Sequence, residues 1–132
     1  MRCDYRVEGI MRVRDTAVSR VLLVKLNGCF EQGMDQVKVE EHPEDKTLII
    51  AIETSFDCSY TRIVAIEDAL EEFGPYVTKV VCFASSCDGN EGEVWVGKKE
   101  DVHKAQRALL VREAQAAISL LTGKERKQLS LD

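Results

Sequence analysis

Apolar and polar residues alternate along Tyr5–Val13, which is the pattern of a strand that buries one face. Gly9 stands in the middle of this segment, where a glycine indicates a bulge or a close approach of the backbone. The opposite, polar face carries Arg6, Arg12 and Arg14. The chain is therefore predicted to open with a half-buried strand that has a basic outer stripe.

A helix is expected next, because apolar residues recur at helical spacing after a capping residue, either Asp15 or Thr16. The expected buried stripe consists of Val18, Val21, Leu22, Leu26 and Cys29. A strand is the alternative for Val21–Val24, because this compact apolar run contains two β-branched valines.

Two further strands are predicted to form a hairpin. Gln36–Glu41 alternates valines with charged residues, and Thr47–Glu53 is a nearly continuous apolar run that is typical of a central strand. The segment between them contains Pro43 and fits a turn. Ser55–Tyr60 is mostly polar, so we interpret it as the connection to the next helix.

The second helix is predicted from a regular apolar stripe that follows Ser59 or Thr61 as the cap and stops at Gly74-Pro75. The stripe consists of Ile63, Ile66, Leu70 and Phe73, with Val64 and Ala69 beside it. The opposite side is acidic and carries Glu67, Asp68, Glu71 and Glu72.

Two more strands and a long helix complete the pattern. Val77–Ala84 and Glu93–Gly97 are predicted as strands, and the polar segment Ser85–Gly92 between them is interpreted as a loop that is long for a hairpin. Trp95 lies between two valines of the last strand. Glu100–Thr122 is the clearest helix, and its wide, alanine-rich apolar arc favours packing between two surfaces, such as the sheet and a partner helix.

The first six predicted elements follow the βαββαβ order of a ferredoxin-like sandwich. We therefore predict an α+β fold of ferredoxin-like type, with one added strand and a long C-terminal helix. The 132 residues fit a single domain with a core over residues 1–97 and a helical extension over 98–132.

Composition and cysteine usage indicate a cytoplasmic protein without membrane contact. No apolar run approaches the ~18 residues that a membrane span needs, and the first residues lack the apolar segment of a secretion signal. The five cysteines are odd in number and irregularly spaced, which argues against a secreted disulfide framework. They are Cys3, Cys29, Cys58, Cys82 and Cys87, and we interpret them as structural thiols.

The sequence supports no catalytic, cofactor or metal site. Cys82 and Cys87 have no second cysteine pair to complete a zinc site, and His42 and His103 are not spaced as partners. The acidic, glycine-rich segment 88–93 does not follow the ligand spacing of an EF-hand. We therefore expect no cofactor and favour a protein that is not an enzyme.

Charge is distributed unevenly along the chain. The net charge is −5, yet residues 31–101 carry 17 acidic groups against six basic groups, while both flanking segments are positive. Such a surface repels nucleic-acid phosphates and attracts basic partners. The alternative interpretation is a solvated face that keeps a small protein soluble.

Three stretches resemble a known group of proteins: Tyr-Arg-Val-Glu-Gly-Ile at 5–10, Phe73-Gly74 at a helix end, and Gly-Asn-Glu-Gly-Glu-Val-Trp at 89–95. On these residues the span from Tyr5 to Val96 resembles small uncharacterised proteins of phages and other mobile elements. The long C-terminal helix departs from that resemblance. The group has no assigned site, so the resemblance implies no catalytic residue.

The leading hypothesis is a non-enzymatic protein-interaction module, such as a phage-type inhibitor or regulator of a host nucleic-acid-binding complex. The expected partner-binding residues are Glu67, Asp68, Glu71, Glu72, Arg6, Arg12, Arg14 and Trp95. One alternative is nucleic-acid binding through the arginines, although the sheet aromatics that stack on RNA bases are missing. Another is a small-ligand site or enzyme at the 85–95 loop. A homodimer through the C-terminal helix is a further hypothesis.

Overall fold

Five antiparallel strands and three helices make up the part of the chain that the computed structural model describes, residues 2–30, 36–121 and 123. The strands are β1 (Arg2–Arg14), β2 (Val37–His42), β3 (Thr47–Ser59), β4 (Val81–Cys87) and β5 (Asn90–Val96). The helices are α1 (Ala17–Gly28), α2 (Tyr60–Glu71) and α3 (Lys99–Ser119), and a 3₁₀ turn spans Gly74–Tyr76. The strands form a sheet in the order β2-β3-β1-β4-β5, which confirms the α+β class.

The chain divides into two compact units, Met1–Lys99 and Glu100–Asp132. The first contains the sheet, α1 and α2, and the second begins in the first turn of α3. None of the described residues of α3 is buried, and its exposed large apolar residues are Leu110, Val111 and Ile118. No described helix is both long and apolar enough to cross a membrane. The single-domain organisation and the packing of α3 between two surfaces stay predictions.

The first strand is confirmed, and it lies at the centre of the sheet. Its register with β3 runs without interruption from Arg2↔Ser59 to Arg14↔Thr47, so the strand has no bulge toward β3. Gly9 is instead required by a neighbouring ring, because a Cβ atom built there would lie 2.5 Å from Cδ1 of Phe83. The close approach predicted at this glycine is therefore that of an aromatic side chain.

Two strand boundaries differ from the sequence prediction. The segment Ser55–Tyr60 is not a connection, because β3 continues through it to Ser59. Thr54, Phe56 and Cys58 are buried at alternate positions, and the polar residues between them face outward. On the other side of β1 from β3, the strand predicted from Val77 begins only at Val81.

The segment predicted as a long loop, Ser85–Gly92, is a tight hairpin between β4 and β5. The strands pair as far as Cys87↔Asn90, so Asp88 and Gly89 alone form the turn. Their φ angles are 51° and 82°, both in the left-handed region that a type I′ turn requires. An Asp-Gly pair is a strong hairpin signal, but the polar residues on either side of it led to the prediction of a longer loop.

Helix α1 is confirmed, and Leu22, Leu26 and Cys29 of the predicted stripe lie in the core or against it, but the stripe is wrong at two positions. Thr16 caps the helix by accepting a hydrogen bond from the Ser19 amide at 3.0 Å. Val18 and Val21 are exposed, whereas Ser19 and Leu26 are buried. Spacing alone could not decide between these sides, because apolar residues occur around most of the helix.

Helix α2 follows the prediction closely. Ser59 is its cap, and the four stripe residues Ile63, Ile66, Leu70 and Phe73 are buried. Val64 is 56% exposed and does not belong to the stripe. The buried residues of α1 and α2 join the inward side chains of the strands in one core, so both helices cover the same face of the sheet.

Candidate functional site

The face of the sheet that α1 and α2 leave uncovered, called here the open face, carries side chains in ordered rows across the strands. In one row Glu53 of β3 lies opposite Glu8 of β1, and Glu8 lies opposite Ala84 of β4, which pairs with Glu93 of β5. In the adjacent row Arg6 lies between Ser55 and Ser86, and Ser86 pairs with Glu91. The register thus brings together side chains from four strands.

These rows form an open groove of about 1180 Å³. Its rim carries Glu8, Glu53, Glu91, Glu93 and Arg6, and its floor between them carries Ser55, Ala84 and Ser86. The floor residues have small side chains, which leaves room above β4 for a group from another molecule. Among the described residues that line this groove, there are therefore four carboxylates and one guanidinium.

The carboxylates of the groove are poorly compensated within the protein. Glu8 and Glu53 are directly opposite each other on neighbouring strands, an arrangement that destabilises a sheet. Neither of them forms an ion pair with another described residue, and Arg6 forms none either. The groove therefore presents a negative field to solvent.

Trp95 borders this groove on the open face of β5. Its indole Nε1 donates a hydrogen bond of 2.8 Å to the carboxylate of Glu93. Burial, together with the nearby Glu93 carboxylate, raises the pKa of the Cys82 thiol, which lies opposite Trp95. The tryptophan is the only one in the chain, so its fluorescence reports on this corner of the groove.

The arginine stripe predicted from the sequence lies on the open face, but its members are mostly held by the protein itself. Arg12 forms an ion pair with Asp45 at 3.0 Å, and Arg14 donates to the carbonyl of Pro75 at 2.5 Å. Among these three arginines, only Arg6, which lines the acidic groove, makes no ion pair or side-chain hydrogen bond with another described residue. The stripe is therefore not a continuous free basic surface.

The acidic side of α2 lies on the other side of the sheet from this groove. Burial and the neighbouring carboxylates of Glu71 and Asp68 raise the pKa of Glu67. Glu72 pairs with the ammonium group of Lys25 at 2.5 Å, and this contact raises the pKa of that lysine. The residues predicted to bind a partner are thus divided between the two sides of the molecule.

A second cluster, which we call the thiol cluster, consists of Cys3, Cys58, Cys87 and Asp88 at one end of the sheet. The sulfur atoms of Cys3 and Cys87 are 2.7 Å apart, and Cys3 lies opposite Cys58. Atoms of Cys3, Cys87 and Asp88 that could bind a metal all lie within 4.8 Å of one another. Burial first, and then the Cys87 thiol, raise the pKa of Cys3 to about 12.

Sequence reasoning missed both the groove and the thiol cluster, because each depends on strand register. Glu8 and Glu53 are brought together by the β1–β3 ladder, and Cys3 and Cys87 by the β1–β4 ladder. The Asp-Gly turn was the one available signal for the second cluster, since it fixes where β4 ends. Comparison with known proteins finds no matching family model, no matching curated protein and no matching solved structure.

Proposed function

We propose that this chain is a non-enzymatic protein-interaction module that binds a basic segment of a partner protein in the acidic groove of its open face. The observation that carries this proposal is the row Glu53–Glu8–Ala84–Glu93, in which three carboxylates frame a small side chain. A lysine or arginine side chain entering above Ala84 would lie between Glu8 and Glu93. It would relieve the repulsion between carboxylates that the free protein leaves unpaired.

The nature of the groove favours a peptide segment over a compact small molecule. The groove is partly open to solvent rather than enclosed, and the residues that line it come from four strands. Arg6 adds a donor in the adjacent row, where it suits a backbone carbonyl or an acidic side chain of the same segment. A segment with mainly basic residues therefore matches the rim in both charge and extent.

The groove replaces the acidic side of α2 as our preferred partner surface. Glu72 is already paired with Lys25, and Glu67 is partly buried, so α2 offers fewer free carboxylates than its sequence indicates. The nucleic-acid alternative draws little support from an open face whose arginines are paired or surrounded by glutamates. The ligand alternative loses its long loop, because Ser85–Gly92 is a hairpin.

We further propose that the sheet and its two helices have a ferredoxin-like layout. The support is that β1 and β3 are central, β2 and β4 flank them, and β5 extends the sheet beyond β4. Proteins that bind nucleic acids carry basic segments, so an inhibitor of such a protein is a role that this acidic groove could serve. The phage-type origin and a homodimer through α3 stay predictions from the sequence.

The test is a binding titration of the purified protein with a fluorescently labelled arginine-rich peptide, followed by anisotropy at low and moderate salt. We expect saturable binding that weakens as salt screens the groove, because the Debye length falls to about 10 Å near 0.1 M. Trp95 fluorescence should change over the same concentration range, since its indole is bonded to Glu93. Binding without any change at Trp95 would place the peptide elsewhere.

The matched variants are Glu8→Gln/Glu53→Gln in the groove and Glu67→Gln/Glu71→Gln on α2, which remove the same charge. The groove variant should lose binding by a factor on the order of ten or more, and the α2 variant should bind almost normally. Equal loss in both variants would indicate a response to net charge alone, and the proposed site would be wrong. Loss only in the α2 variant would return the partner surface to the acidic side of α2.

A further inference from the structure

The thiol cluster is held together by the way the β4–β5 turn is fastened to the start of β1. The amide of Asp4 donates to Asp88 Oδ1 at 2.8 Å, and the amide of Asp88 donates to the carbonyl of Asp4 at 2.9 Å. These two hydrogen bonds fix Cys87 and the residues around Cys3 relative to each other. The separation of 2.7 Å between the two sulfur atoms follows from this backbone arrangement.

That separation is well inside ordinary sulfur–sulfur contact and close to covalent distance. A disulfide bond needs the atoms to approach to about 2.05 Å. A tetrahedral zinc ion, with Zn–S bonds of about 2.3 Å, would instead require the two sulfurs to move apart by roughly 1 Å. Asp88 Oδ1 is also already used by the Asp4 amide. The cluster is therefore closer to a disulfide than to a metal site.

The two thiols differ in their access to solvent. Cys3 is only 3% exposed, whereas Cys87 is partly exposed beside the turn. The phenol of Tyr60 lies near both thiols, and their proximity raises its pKa. A reagent from solution therefore reaches Cys87 first, and the buried Cys3 sulfur is in contact with the Cys87 sulfur.

We propose that Cys87 and Cys3 form a thiol–disulfide exchange site, at which a small-molecule disulfide is reduced and an intramolecular Cys3–Cys87 bond is made. The thiolate of Cys87 attacks one sulfur of the small disulfide, which breaks that S–S bond and releases one small thiolate. Cys3 then loses its proton as its sulfur attacks the Cys87 sulfur, and the S–S bond of the mixed disulfide breaks and releases the second small thiolate. The two protons that leave the cysteines are taken up by the two released thiolates, so that two electrons pass from the protein to the small disulfide.

This bond would join the beginning of β1, the central strand, to the end of β4. It would close a loop of more than eighty residues, from Cys3 to Cys87, and thereby restrict the unfolded chain. Cys58 is the neighbouring thiol on β3, opposite Cys3, and it is the competing partner within the cluster. The proposal is specific for Cys87 because its sulfur is the one in contact with Cys3.

The experiment exposes the folded full-length protein to oxidised glutathione and follows intact mass over time, with peptide mapping of the product under non-reducing conditions. We expect the protein to lose two hydrogens without a lasting adduct, and the map to join Cys3 to Cys87. The oxidised form should melt higher than the reduced form by on the order of 10 °C, and dithiothreitol should reverse the shift. A map that joins Cys58 to another cysteine, or a lasting glutathione adduct on Cys87, would overturn the proposal.

Three serine variants assign the steps. Cys3→Ser should trap glutathione on Cys87, because the resolving thiol is gone, and Cys87→Ser should react at least tenfold more slowly at this cluster, because Cys3 is buried. Cys82→Ser on the open face is the matched control, and it should form the Cys3–Cys87 bond as the unchanged protein does. Zinc that co-purifies in stoichiometric amount and blocks the reaction would identify a metal site instead. If a variant does not fold, the peptide map of the unchanged protein still shows whether Cys3 is joined to Cys87.

Discussion

The two faces of the central sheet obey different physical rules although the same strands build them. On the covered face the large apolar side chains pack into one core, as when Phe83 fills the space that Gly9 leaves open. On the open face Glu8 lies opposite Glu53, and the row continues to Glu93 with only Ala84 between. The covered face is stabilised by packing, whereas the open face contains a pair of carboxylates, Glu8 and Glu53, that repel each other.

This difference separates the residues that stabilise the fold from those available for binding. A repulsive carboxylate pair reduces the stability of a sheet, so this pair is a place where effects on stability and on binding can be separated by mutation. On the covered face, by contrast, most large side chains are buried together in one core. Mutations that exchange stability against binding should therefore be confined to the open face.

The largest expected effect comes from truncating the covered face. Phe83→Ala should reduce the free energy of unfolding by about 3–5 kcal/mol, because it removes a fully buried ring and leaves a cavity beside Gly9. The matched substitution on the open face, Ile10→Ala, removes a side chain that is 65% exposed and should cost less than about 0.5 kcal/mol. Urea denaturation of both variants checks the contrast, and equal costs would contradict the division of the sheet into two faces.

A smaller effect of opposite sign is expected at the carboxylate row. Glu53→Gln should raise the free energy of unfolding by roughly 0.2–1 kcal/mol, because it removes the repulsion across the β1–β3 pair. The same variant should bind the arginine-rich peptide more weakly. Chemical denaturation and the anisotropy titration measure the two effects on one sample. If Glu53→Gln is less stable than the unchanged protein, Glu53 makes a net stabilising contribution and the proposed repulsion with Glu8 is wrong.

The smallest effect concerns the acidic side of α2 and depends on pH. The folded protein raises the pKa of Glu67, so its protonated form is favoured by folding, and that stability is lost as pH rises through the folded pKa. Glu67→Gln should therefore stabilise the protein by about 0.2–0.5 kcal/mol at neutral pH and have no effect below the ordinary glutamate pKa. Thermal melts of both proteins across pH 4 to 7 test this, and a pH-independent gain would assign the effect to packing.

Sequence patterns predicted the covered face well. The alternation of β1 and the stripe Ile63, Ile66, Leu70 and Phe73 of α2 both encode burial directly, and both are buried in the structure. The extension of β3 through Phe56 and Cys58 was missed because its outward residues are Ser and Asp, which read as loop when considered without their buried neighbours. Val18 and Val21 of the α1 stripe were assigned wrongly because apolar residues occur around most of that helix, so spacing alone does not choose the buried side.

The open face could not be derived from the same information. A groove depends on which residue lies beside which across strands, and a shift of one residue in register would move Glu53 away from Glu8. Register depends on turn geometry, and the turn that mattered most, Asp88-Gly89, was interpreted as part of a longer loop. The contact between Cys3 and Cys87 depends on the same turn, so both sites became visible only with the full topology.

The central position of β1 also determines when the sheet can assemble. This strand is synthesised before its two neighbours, β3 and β4, which begin only at residues 47 and 81. Until then its two hydrogen-bonding edges are unpaired, and the edge that pairs with β4 stays so until the β4–β5 hairpin has been made. Such non-local pairing slows folding and prolongs the lifetime of aggregation-prone intermediates. Expression at lower temperature, or with a chaperone that shields nascent strands, should accordingly raise the soluble yield.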